Sequence, residues 1–158
     1  MKTDIDLLRS KALFGGLDDD RLKKICSFLE VESFYKGDII IKEGEIGSKM
    51  YLLKKGKVEV LKYSREEKKE EVIAMLGEGD SFGEMELIDI QPRTATIKAL
   101  EDIETISLNS HDLLSLSHSD LECFSIVLIN IARIISRRLR KSDEMLVSIH
   151  PIRDLNKK

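Results

Sequence analysis

All nine glycines of this 158-residue chain precede residue 84, and seven of them fall between Gly37 and Gly83. Glycine enters turn conformations that other residues resist, so this distribution cuts one stretch of chain into short pieces. Those pieces are rich in β-branched and aromatic residues: Ile39–Ile41, Met50–Leu53, Val58–Tyr63 and Val72–Leu76. Thr94–Leu100 and Ile103–Leu108 continue the pattern after the last glycine. Short strands at regular spacing, separated by turns, predict an antiparallel sheet that is closed or sandwiched. The run Arg65–Glu71 is mixed in sign and reads as a solvated hairpin tip.

Helices are predicted on both sides of this sheet. Asp18–Glu30 carries Leu22, Ile25, Phe28 and Leu29 at helical spacing, with acids in its first turn. Ser110–Ser117 forms a short helix with Asn109 as N-cap. Ser119 and Glu122 make a capping-box pattern, and no glycine or proline follows until Pro151. One long helix from about Asp120 to about Leu146 is therefore expected. The resulting class is mainly β with flanking helices. One domain is expected over 1–147, divided into an N-terminal helical part (1–36), the sheet (37–108) and C-terminal helices (109–147), with a polar tail at 148–158.

Leu121, Phe124, Leu128, Ile131 and Ile135 step by three and four along the long helix, a heptad-like seam. Ile126, Val127, Ile129 and Ile134 make the same segment apolar on other faces. Such a helix must be covered on more than one side. The sheet can supply one cover and a second copy the other. The basic run Arg137-Arg138-Leu139-Arg140-Lys141 then reads as a solvated helix end whose cations complement the dipole. Its alternative is a contact surface, for a partner protein or around a ligand.

Composition narrows the class of function. No apolar run approaches the ~20 residues of a membrane span, and Met1–Asp6 lacks the regions of a signal peptide. Two distant cysteines, Cys26 and Cys123, fit small buried hydrophobes in a reducing cytoplasm. A net charge of −3 argues against a protein that coats nucleic acid. His111, His118 and His150 have no metal-ligand spacing. No nucleophile–base constellation or Walker loop is present, so a non-catalytic protein without a cofactor is expected.

The eighteen residues Phe82–Ala99, FGEMELIDIQPRTATIKA, point to a ligand. Gly83 allows close backbone approach, and the backbone N–H groups after it can face an anion. Arg93, nine positions after Glu84, has the planar fork that grips two phosphate oxygens. Glu84 accepts hydrogen bonds and so suits a sugar hydroxyl. A sugar carrying a singly charged phosphate matches this layout. Arg93 could instead pair with Glu84, Glu86 or Asp89. Pro92 sets the chain direction before it.

This run resembles the phosphate-binding cassette of the cyclic-nucleotide-binding domain family, of the catabolite activator protein and protein kinase A regulatory subunit type. Leu7–Phe14 with Gly16-Leu17, Gly37–Glu45 and Met50–Val60 resemble the family's N-terminal motif and early strands. The resemblance implies an eight-stranded antiparallel β-roll with a helical N-terminus and a C-terminal hinge and lid. It implies that Gly83, Glu84, Met85, Glu86, Arg93, Thr94 and Ala95 bind the ligand, with Glu84 on the ribose 2′-hydroxyl and Arg93 on the cyclic phosphate. Val60, Ile73 and Ala74 would lie against the base, and Ser142 and Asp143 would cap it. Thr94 keeps cyclic GMP possible beside cyclic AMP. Glu86 departs from the small residue usual there. An extra carboxylate ~6 Å from the phosphate would cost roughly 3 kcal/mol unless it faces away, as residues two apart on a helical turn can.

About twelve residues follow Leu146, too few for a helix-turn-helix. The expected function is a stand-alone cyclic-nucleotide sensor, cyclic AMP ahead of cyclic GMP, that homodimerises through its long helix and regulates an effector protein. The alternatives are an interaction module of the same fold that has lost the ligand, and a DNA-binding regulator using the basic helix end.

Overall fold

The computed structural model describes residues 5–89 and 91–149, so His150 and most of the predicted tail lie outside the described residues. Eight strands form two antiparallel four-stranded sheets. In chain order they are β1 (Glu30–Phe34), β2 (Ile39–Ile41), β3 (Lys49–Lys55), β4 (Val58–Ser64), β5 (Lys69–Leu76), β6 (Ser81–Phe82), β7 (Thr96–Ala99) and β8 (Ile103–Asn109). One sheet runs β1-β8-β3-β6 and the other β2-β7-β4-β5. The helices are α1 (Ile5–Arg9), α2 (Asp19–Cys26), α3 (Met85–Ile88), α4 (Ser110–Ser119) and α5 (Leu121–Ile149), with a 3₁₀ turn at Ala12–Phe14. This is the β-roll expected.

Strand alternation divides the interior in two. On β3, Tyr51 and Leu53 face into the roll with Ile41, Val58, Phe82, Ile97 and Ile103. Met50 and Leu52 point the other way, into a cluster with Leu108 of β8 and with Leu8, Leu22, Ile25, Leu116 and Val127 from the helical layer. β3 is thus covered on both faces, which the side-chain period of two makes possible for a strand carrying four consecutive apolar or aromatic positions, Met50–Leu53. Cys123 is buried in the helical cluster and its thiol is pushed up to about 11 by that burial. Cys26 is half-buried and also free.

Four expectations change. The helix expected over Asp18–Glu30 is α2 and ends at Cys26, and Glu30–Phe34 pairs with β8 from Glu30↔Ser107 to Phe34↔Ile103. Its alternating charges hid that strand, because Glu30 and Glu32 are satisfied by Lys49 from another strand, at 2.7 and 3.0 Å. The cap of α5 is Asp120, whose Oδ1 accepts from Cys123 N at 2.9 Å; Ser119 belongs to α4. Ile131, placed by its spacing on a seam between protomers, is fully buried in the chain's own helical core. Phe124 and Ile135 pack on the same core, half-buried. Finally, α5 extends three residues beyond Leu146.

Asn130 fixes where α5 lies. It is buried, and its Nδ2 donates to Leu13 O at 3.0 Å and to Gly15 O at 2.8 Å. A buried amide so satisfied ties the helix to the N-terminal turn, since losing its partners would leave a desolvated polar group.

Candidate functional site

The cassette expected from sequence folds as β6, the one-turn α3 and a loop returning to β7. Gly83 has a positive φ of 74°. A Cβ there would lie 2.7 Å from Arg93 Nη1 and 2.9 Å from Lys49 O, so the position has no room for a side chain. Gly47 closes the opposite side. A Cβ at Gly47 would come within 2.3 Å of Arg93 Nε.

Arg93 is buried between these glycines and makes three side-chain hydrogen bonds. Its Nη1 donates to Glu86 Oε2 at 2.9 Å and to Gly83 O at 3.3 Å, while Nη2 donates to Lys49 O at 2.6 Å. Its backbone is held as well, through Arg93 N to Glu45 O at 2.8 Å and Gly44 N to Arg93 O at 2.9 Å. The Arg93 and Glu86 side chains are only 6% and 5% exposed. Glu86, expected to face away, therefore points inward. On this single short turn Leu87 packs against the core and the preceding Glu86 carboxylate meets the buried Arg93.

Glu84 is buried too, but its partner comes from elsewhere. Oε1 accepts from Arg138 Nη1 on α5, and Arg138 Nη2 donates to Ser81 O. Oε2 is buried with no hydrogen-bond partner. Burial raises the Glu84 carboxyl above its ordinary range, with the Arg138 charge opposing and Glu86 adding to the rise. Arg138, expected in a solvated helix end, is a cassette residue. The basic run was the only signal for it, and that run does not say which of its cations turns inward.

The remaining positions are less enclosed. Met85 and Thr94 are exposed and Ala95 half-buried. Thr94 O accepts from Lys62 Nζ, and Lys62 also pairs with Glu43 at 2.8 Å. Val60 and Ala74 are direct partners across β4 and β5. The register shifts between Val60 and Leu61, which leaves Ile73 unpaired in the ladder and exposed. Ser142 and Asp143 are exposed on α5, and among the described residues neither hydrogen-bonds to the cassette. A cleft of about 290 Å³ opens beside Arg93, lined by Lys42, Glu45, Gly47, Lys49 and Tyr51. A larger apolar cleft of about 720 Å³ lies between α3, α4 and α5, lined by Ile46, Leu87, Ile88, Leu114, Phe124 and Leu128. Among the described residues no cluster of His, Cys, Asp or Glu could hold a metal ion, and no helix is long and apolar enough to cross a membrane.

Two antiparallel sheets enclosing a glycine-walled cassette, with a buried glutamate and a buried arginine on it, define a β-roll domain with an internal charged site. The chain belongs to the cyclic nucleotide-binding domain family, whose model matches residues 31–120. It is 43% identical over 97 residues to cGMP-dependent protein kinase 2 of Homo sapiens, covering 61% of this chain and 13% of the kinase. It is 32% identical over 136 residues to the cyclic AMP receptor protein of Thermus thermophilus, covering 86% of this chain and 61% of that protein. A crystal structure of a cyclic nucleotide-binding domain from Methylobacillus flagellatus superposes with a TM-score of 0.83 at 25% identity, over 92% of this chain and 82% of that one. The chain therefore spans only part of the curated relatives it matches.

Proposed function

We propose that this chain is a non-catalytic sensor of a cyclic nucleotide, cyclic AMP ahead of cyclic GMP, whose long helix passes ligand occupancy to an effector protein. The buried, unpartnered Oε2 of Glu84 carries this reading. A desolvated carboxylate oxygen without a donor is costly, and a ribose hydroxyl is the donor that the cassette's ligand would bring. Arg93 supports it as the one buried guanidinium on the cassette. Glu84 also joins the site to α5. With Oε1 on Arg138, ligand and helix share one carboxylate, so occupancy alters how firmly Arg138 is held. A ligand shifts a conformational equilibrium only through such a difference in contacts.

Calorimetry with cyclic AMP and cyclic GMP tests the proposal, and Glu84→Gln sharpens it. The substitution should weaken cyclic AMP by about 1–2 kcal/mol and leave 2′-deoxy cyclic AMP less affected. Equal losses for both ligands would mean that Glu84 supports only the shape of the cassette.

The Arg93–Glu86 pair favours a second reading, an interaction module in which a carboxylate has replaced the ligand. Failure of either cyclic nucleotide to bind the protein would leave that reading standing.

A homodimer remains our proposal for assembly, through the outer side of α5. Leu121 and Leu114 are 66% and 57% exposed beside the apolar cleft that Phe124 and Leu128 line. Light scattering should give a dimer mass at micromolar concentration, and Leu121→Glu should shift it toward monomer. A monomeric wild type would remove the dimer.

A further inference from the structure

We propose that this site also accepts an uncharged ribonucleoside, and that Glu86 is the residue that admits it. The inference rests on the cassette's being a ligand site, as proposed above, and extends the class of ligand it takes.

The buried cassette atom without a partner, Glu84 Oε2, needs a donor and not an anion. Three of the five N–H groups of Arg93 are directed at Glu86, Gly83 O and Lys49 O, which holds the guanidinium against the Glu86 carboxylate. Lys62, which donates to Thr94 O, is paired with Glu43. Two acids and two guanidiniums, Glu84 with Arg138 and Glu86 with Arg93, balance within the cassette. Among the fully buried side-chain atoms of the cassette, only Glu84 Oε2 lacks a partner, and it can only accept.

A 3′,5′-cyclic phosphate is a diester. It carries one negative charge and accepts hydrogen bonds without donating any. Seated on Arg93 it would face the Glu86 carboxylate, two acceptors around one fork, with a surplus negative charge in a buried place. At a separation of ~6 Å that repulsion is on the order of a hundredfold in affinity. A ribonucleoside has free hydroxyls in place of the diester. They add no charge, and each can donate to a carboxylate or accept from an N–H. A 2′- or 3′-hydroxyl can meet Glu84 Oε2 while the Glu86–Arg93 pair stays closed.

Titration calorimetry of the full chain with adenosine, guanosine and their 3′,5′-cyclic phosphates tests this directly. Wild type should bind at least one nucleoside as tightly as its cyclic phosphate, or more tightly. Glu86→Ala should shift the ratio toward the cyclic phosphate by at least tenfold. Glu86→Gln, which keeps the size and a hydrogen bond to Arg93, should shift it the same way if the alanine variant does not fold. A wild type that prefers both cyclic phosphates by tenfold or more overturns the inference and leaves the cyclic-nucleotide reading intact. An unchanged ratio in both variants overturns the role of Glu86. Absence of binding by all four ligands, in wild type and variants alike, overturns the inference together with the ligand-site reading on which it rests.

Discussion

In urea, Ile131→Asp should lose at least about 4 kcal/mol of stability, because it places an unpaired carboxylate in a dry core. Ile131 has no exposed surface and belongs to the cluster that joins α5 to Leu8, Phe14, Leu22 and Leu116. A domain of this size is stable by ~5–15 kcal/mol, so the loss consumes much of the margin. Circular dichroism should show a large fall in the melting temperature or an unfolded chain. An Ile131→Asp protein that stays folded but becomes monomeric would return this residue to a seam between protomers.

Arg93→Ala should be nearly as damaging, for an electrostatic reason. It strands the buried Glu86 carboxylate and removes the donors to Gly83 O and Lys49 O. Breaking one partner of a buried pair typically costs about 3–5 kcal/mol, whereas removing both costs far less. The double variant Arg93→Ala with Glu86→Ala should therefore recover at least half of the lost stability. Binding of a cyclic nucleotide should fall by a further ~2–4 kcal/mol in any folded Arg93→Ala protein. Arg93→Lys should restore little of it, because a point charge cannot reproduce the fork. Denaturation midpoints that are equal for the single and double variants would mean that Glu86 and Arg93 are not paired in solution.

Much of this fold is legible along the chain. Glycine spacing and β-branched runs locate β2, β3, β4, β5, β7 and β8, because strand pairing and turn formation there follow local residue types. Asn109 and Asp18 mark helix starts, and each accepts from a backbone N–H three residues on, at 2.8 and 2.9 Å. The order glycine, glutamate, arginine places the cassette, since β6, α3 and the return to β7 are contiguous in sequence. Strand β1 is the counterexample. Glu30 reads as the end of a helix and Val31–Phe34 as part of the helical N-terminus until Lys49 and β8 arrive to pair with them.

What the sequence determined by itself is therefore most of the elements, the β-roll they imply, and the presence of Glu84, Glu86 and Arg93 on one cassette. Only the tertiary structure decided which charge meets which. Closure of the roll sets Gly47 against Arg93 and turns Glu86 inward onto its guanidinium. Packing of α5 on the N-terminal turn through Asn130 carries Arg138 to Glu84 across 54 residues of sequence and sends Ile131 into the chain's own core. The division follows from range. Turn and helix preferences are set by neighbours a few residues away, whereas a buried ion pair depends on where distant segments come to rest, and a heptad spacing fits a partner helix and a sheet equally well.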